Sequence, residues 1–283
     1  MAYFLLCMIV LLGLLERILA KEYNVKTEKP NCNLYTAVTC LCALIFFLVN
    51  SRGDLRFTME IVPYALGFAA AFGTASATTI FAIKTGPLSI TALVSSYSLL
   101  IPTFYGIIFL KDEVHATLFF GLAALFVSLF LINFKKDENL HFEPMWLLYV
   151  ILAFISNGMC STVQKMQQLA FDGAYKNEFM IIALVTVTAV LFALGFSRPG
   201  NKLAMLKPCI KYGAVKGFAN GIMNYLVMVT SAMLPNAVLF PSISAVGIVL
   251  TFVCALTIYK EKLSKTQTVG YVLGIAAVVL LNV

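Results

Sequence analysis

The sequence predicts an all-α membrane protein, with ten transmembrane helices as two inverted five-helix repeats, and three observations carry that expectation. Hydrophobic residues make up 61% of the 283 residues and charged residues 12%, against about 45–50% and about 25% in ordinary soluble domains. Apolar runs near the length of a bilayer-crossing helix, about 20 residues, recur along the whole chain and leave no stretch for a separate catalytic domain. The chain also repeats: Leu110-Lys111-Asp112-Glu113-Val114 precedes Tyr259-Lys260-Glu261-Lys262-Leu263 by 149 residues, as Ser95 does Ser244 and Gly121 does Gly270. Because five helices per copy is an odd number, the second copy starts on the opposite side and the two are inverted, an arrangement typical of transporters with a midplane site where the halves meet.

Taken in order, the first run spans 3–20; with no small-residue cleavage site before Glu16-Arg17 it reads as a retained helix. Spans two and three, 34–50 and 60–83, follow the polar stretches Lys21 to Asn33 and Ser51 to Glu60. Span four, 87–110, opens on Pro87, which suits a first helical turn, and span five covers 115–133. Residues 135–142 connect the repeats 1–134 and 143–283. Spans six and seven occupy 145–165 and 178–196, and Ser197 to Pro208 reads as a loop. Span eight is 211–233, span nine is 236–259 after Leu234-Pro235-Asn236, and span ten is 266–283.

Several residues sharpen the pattern. Span four runs Pro87-Leu88-Ser89-Ile90-Thr91-Ala92-Leu93-Val94-Ser95-Ser96-Tyr97 through Pro102 to the charged turn Lys111-Asp112-Glu113, and a Gly-led fifth span follows from Gly121. The second half repeats this scheme from Asn236 through Pro241 to Tyr259-Lys260-Glu261 and Gly270. The arrangement resembles the drug/metabolite transporter superfamily, and within it the ten-helix EamA-like members, with Lys21 and Lys165 matching the basic end of the first span in each half. One departure is Thr251 where the first half has Pro102. The resemblance covers nearly the whole chain and implies secondary transport by alternating access, often export, of a small metabolite such as an amino acid. It further implies a multi-pass plasma-membrane protein (a bacterial inner membrane), monomeric or homodimeric. Membrane lipid surrounds such a protein, a proton or substrate counter-ion drives it, and no cofactor is needed.

Span eight is the most polar. Lys216, Asn220 and Asn224 recur at four-residue spacing and share a face, with Tyr225 beside it. A charge inside a span is rare and ordinarily faces a polar cavity, although Lys216, in the first two turns of 211–233, can also snorkel to the interface. The expectation is that Lys216 meets a ligand anion while the two amides bond its polar remainder. Gly213, Gly217 and Gly221 form a small-residue ridge for close helix packing, mirrored in span three by Gly67, Ala71 and Ala75. Thr74, Thr78, Ser95, Ser96, Tyr97 and Ser244 are further candidates to line a cavity, although Ser and Thr hydroxyls in helices often bond their own backbone. Pro102 and Pro241 are candidate hinges, since each frees the carbonyl four residues earlier, that of Ser98 or of Ala237. Glu16 is the one carboxylate away from loops and span ends, but with Arg17 adjacent it reads as interfacial. Trp146 reads as an interface anchor.

Other function classes find little support. The net charge of +7 reflects loops facing anionic lipid, without the basic runs of a nucleic-acid partner. The seven cysteines lack ligand-like spacing and read as small hydrophobes. His115 and His141 lie in loops, and no H-E-x-x-H, G-x-S-x-G or intramembrane Asp supplies an enzyme. The rivals are a transporter of phosphorylated or nucleotide-linked sugars, which needs more than one cavity cation, and a non-transporting scaffold subunit. Orientation divides the signals. Arg52, Arg56, Lys111, Lys165 and Lys176 share the side of the termini while fourteen cations lie opposite, which puts the termini outside; the family resemblance puts them in the cytoplasm.

Overall fold

A computed structural model describes residues 2–28, 30–85, 91, 94, 97–113, 116–133, 144–197, 202–257 and 264–281. Among them are ten α-helices and no strand: α1 (Ala2–Lys26), α2 (Cys32–Asn50), α3 (Val62–Thr85), α4 (Leu100–Phe109), α5 (Ala116–Asn133), α6 (Pro144–Ala170), α7 (Lys176–Phe196), α8 (Lys202–Ser231), α9 (Asn236–Thr257) and α10 (Lys265–Leu281). Short 3-10 turns, Met59–Ile61 and Tyr97–Leu99, precede α3 and α4. Among the described residues five stretches are long and apolar enough to cross a membrane: Ala2–Lys26, Cys32–Asn50, Met59–Ala82, Met145–Ala170 and Lys176–Phe196. The connection 135–142, His115, His141, Ser95, Ser96 and the Lys260-Glu261 turn lie outside the described residues.

Three helices run past the ends that hydropathy sets. α1 continues to Lys26 because Tyr23 is buried and its ring stacks on Tyr35 at 4.1 Å. α6 continues to Ala170 because its polar end, Gln164, Lys165, Gln167 and Gln168, is buried. It then stops where Gly173 takes a positive φ of 75° and donates its N–H to the Gln168 carbonyl at 2.8 Å. The stretch read as a loop from Ser197 to Pro208 becomes the first turns of α8 from Lys202, with Pro208 inside the helix. The cause is tertiary: Cys209 is fully buried with Tyr23, Leu34, Tyr35 and Val38, and Met205 and Leu206 pack beside them.

The chain forms two compact units. One combines Tyr3–Gly73 with Val163–Ala232, the other Thr74–Thr162 with Met233–Val283. Neither follows the halves 1–134 and 143–283. Each takes helices from both: α2 packs on α7 and α8 in the first unit, and α4 packs on α9 and α5 on α10 in the second.

In the first unit the glycine ridge of α8 lies on α2. A methyl group at Gly217 would meet the Thr39 carbonyl and come within 2.5 Å of the Cys42 Cβ, and one at Gly221 would sit 2.8 Å from the Phe46 ring. Asn31 caps α2 by accepting the Leu34 N–H at 3.2 Å and is held in turn through its backbone N–H, donated to the Tyr23 hydroxyl at 2.9 Å.

In the second unit Ser128 of α5 donates to the Gly270 carbonyl of α10 at 2.7 Å, and Tyr97, Leu125, Leu129, Ala245 and Tyr271 share a core. Asp112, from the charged turn of the first half, accepts the Ala237 N–H at 3.0 Å and so caps α9. Trp146, expected at a lipid interface, is buried against Ala82 and Val150 with its indole N–H on the Thr91 hydroxyl at 3.2 Å. A ring edge with a hydrogen-bond partner inside the protein has no need of the headgroup layer.

Candidate functional site

The polar stripe of α8 is the start of a longer polar row in the first unit. Because α8 begins at Lys202, Lys216 stands near the middle of a 30-residue helix. The ridge of Gly213, Gly217 and Gly221 turns one side of α8 onto α2, and the adjoining row carries Lys216, Asn220 and Asn224. Gly13 of α1 lies close to Met223 of α8, so α1 approaches α8 at the level of Glu16.

There the amides form a chain with one direction. Gln164 of α6 donates to the Asn224 Oδ1 at 2.8 Å. Asn224 donates to the Asn220 Oδ1 at 3.1 Å and the Asn220 carbonyl at 2.9 Å. Asn220 donates to both carboxylate oxygens of Glu16, each at 3.2 Å. The side-chain-to-side-chain bonds all run toward Glu16, so their dipoles reinforce one another and favour negative charge at its end, while Gln164 also donates to the Met180 sulfur at 4.0 Å. Glu16, expected at an interface, is hydrogen-bonded to Asn220 of α8. It sits well inside the 25-residue α1, and the apparent loop signal of Arg17, Lys21 and Glu22 belongs to the helix itself.

The Lys216 ammonium lies 5.0 Å from the centre of the Tyr35 ring, within cation–π range, and within electrostatic reach of Glu16. The carboxylate singled out in the sequence, Glu16, thus stands near Lys216, a pairing that the sequence does not predict. The Tyr35 hydroxyl is enclosed and has no hydrogen-bond partner among the described residues. Buried polar atoms in that condition are few and call for a water or a ligand. Tyr225 turns onto α2, with ring centres 6.4 Å from Phe46 and 6.5 Å from Phe47.

The structure thus brings together Lys216, Asn220 and Asn224 and adds Glu16, Tyr35 and Gln164. The amide groups of Asn220 and Asn224 are engaged with protein partners, which makes them the frame that holds Glu16 more than free ligand contacts. Lys165, matched in sequence to a basic span end, is 7% exposed and donates its ammonium to the Ser231 carbonyl at the end of α8. A cation there complements the helix C-terminus, and Lys165 leaves the set of loop charges.

The remaining sequence candidates belong to the second unit. The Thr78 hydroxyl bonds the Thr74 carbonyl at 2.7 Å, and Thr74 is exposed. Tyr97 donates to the Phe126 carbonyl at 2.6 Å and stacks on the Phe126 ring at 4.4 Å. Ser244 is half-buried in α9. Pro102 stands in the first turn of α4, just past the 3-10 turn, so the break it causes lies on its N-terminal side. The Ser98 carbonyl that it frees packs 2.6 Å from where a methyl at Gly158 would sit. Pro241 is buried inside α9, which continues through it.

Two of the site residues lack a clear sequence signal: Gln164 sits in Gln164-Lys165-Met166-Gln167-Gln168 and reads as a span end, and Tyr35 reads as one aromatic among many. Glu16 stands out as the one carboxylate inside a span, but its charged neighbours make it read as interfacial. No protein-family model matches the chain, and no curated protein does. A solved crystal structure of a protein is similar at a TM-score of 0.77 and 12% identity, covering 99% of this chain and 95% of that one. The likeness is one of fold.

Proposed function

We propose that the protein is a ten-span secondary transporter of the EamA-like kind in the drug/metabolite transporter superfamily. It moves a small carboxylate-bearing metabolite, an amino acid or a related compound, by alternating access across a plasma membrane such as the bacterial inner membrane. The observation that carries this reading is the polar row shared by α8, α6 and α1, where Lys216 supplies a cation and the chain Gln164–Asn224–Asn220 holds Glu16 near it. Such groups are expensive in a membrane and mark a ligand or ion path. The pairing of equivalent helices within each compact unit supports a duplicated, inverted architecture, in which midplane sites are usual.

The test is counterflow of radiolabelled amino acids into proteoliposomes. Saturable, competable uptake is expected, and Lys216→Met should raise the half-saturating concentration about 10- to 150-fold, the loss of a charged hydrogen bond worth about 1.5–3 kcal/mol. A wild-type protein that is inserted and folded yet shows no saturable flux for any small metabolite is a scaffold, and the transporter reading fails.

A further inference from the structure

We infer that the site selects a zwitterion, with the ligand carboxylate on Lys216, its ammonium on Glu16 and the Tyr35 hydroxyl as a third contact. This deepens the transporter reading and rests on it, but it makes a narrower claim than an anion site built on Lys216 alone.

The first support is that Glu16 and Lys216 lie within electrostatic reach of each other without forming an ion pair among the described residues. Lys216 rests over the Tyr35 ring, and the Glu16 carboxylate takes its hydrogen bonds from Asn220. If Glu16 served only to neutralise Lys216, a direct ion pair would be the favoured geometry, since Coulomb attraction grows as the dielectric falls. The amide chain instead holds Glu16 from the other side.

The second support is unused bonding capacity. A carboxylate offers about four acceptor positions, and a single Asn220 nitrogen shared between both oxygens at 3.2 Å leaves most of them open. An ammonium brings three donors that fit this deficit. The enclosed Tyr35 hydroxyl, unpartnered, can donate to a carboxylate already drawn to Lys216.

The third support is discrimination. Glu16 repels a simple anion approaching Lys216, and Lys216, together with Arg17 beside Glu16, repels a simple amine approaching Glu16. A ligand carrying both charges satisfies both groups and adds no net charge to the interior, so it avoids the cost of burying an unpaired ion.

The experiment is equilibrium binding to the purified full-length protein in detergent. The twenty common amino acids are screened, and the tightest binder is compared with its deaminated acid and its decarboxylated amine. Wild type should prefer the zwitterion over either relative by about tenfold or more, as expected for a charged hydrogen bond. Glu16→Gln should erase the preference over the deaminated acid, and Glu16→Asp, which keeps the charge, should restore it. Lys216→Met should erase the preference over the amine, while Tyr35→Phe weakens binding and leaves both preferences in place.

Equal wild-type affinity for zwitterion and deaminated acid overturns the inference, as does a Glu16→Gln variant with its preference intact, or a screen in which no amino acid binds. If deaminated acids bind in a Lys216-dependent manner, the anion site of the transporter reading survives while the zwitterion inference falls. Should Glu16→Gln fail to fold, the wild-type comparison of the three relatives decides by itself.

Discussion

At the scale of single residues, Asn224 ties the two ends of the polar row together, since it accepts from Gln164 and donates to Asn220. Asn224→Leu keeps the side-chain bulk but strands the Gln164 amide and releases Asn220. A loss of about 1–3 kcal/mol is expected, the usual cost of leaving a buried donor unsatisfied. Denaturation of the detergent-solubilised protein measures it. Replacing Gln164 as well, in Gln164→Leu/Asn224→Leu, should cost less than the sum of the two single changes, because both act on one bond. Strict additivity would mean that the row is not a chain.

At the scale of the helix, two devices carry weight. Gly217 lets α8 approach α2 until the Thr39 carbonyl and the Cys42 side chain leave no room for a Cβ. Gly217→Val should destabilise by about 1–3 kcal/mol, the range for overpacking a closed interface, visible as a lowered Tm. Gly73, with open space around it, supplies the control: Gly73→Ala should leave Tm unchanged or raise it, since helix propensity improves. The second device is the break before α4, where a 3-10 turn gives way to an α-helix that contains Pro102 in its first turn. Pro102→Ala restores a backbone donor and should let the helix extend backward. If bending at this point limits transport, kcat falls while KM holds; unchanged kcat would remove Pro102 from the hinge role.

At the scale of the whole molecule, the charge distribution bears on orientation. With Lys165 buried and Arg17 and Lys21 inside α1, Arg52, Arg56, Lys111 and Lys176 remain on the side that the sequence assigns to the termini, against twelve opposite. The positive-inside rule then places the termini outside. A cysteine introduced at the exposed Lys207 should stay unlabelled by an impermeant thiol reagent in intact cells and react after permeabilisation. Labelling of intact cells would place the termini in the cytoplasm, as the family resemblance implies.

Composition and periodicity determined that the chain is helical and where most of the helices among the described residues begin, because apolar run length and Pro/Gly punctuation are local properties. The same locality made the stripe of Lys216, Asn220 and Asn224 legible, since three residues at four-residue spacing must share a face of any helix that contains them. The extra turns of α1, α6 and α8 were not legible. Charged and polar residues there imitate loops, and only burial of Tyr23, Gln167 and Cys209 against distant helices makes helix the better state. Nor could the sequence show that Glu16 faces Asn220, 204 residues away. That pairing arises when the glycine ridge fixes how α8 turns against α2, and a rotation set by packing between helices has no signature in either helix alone.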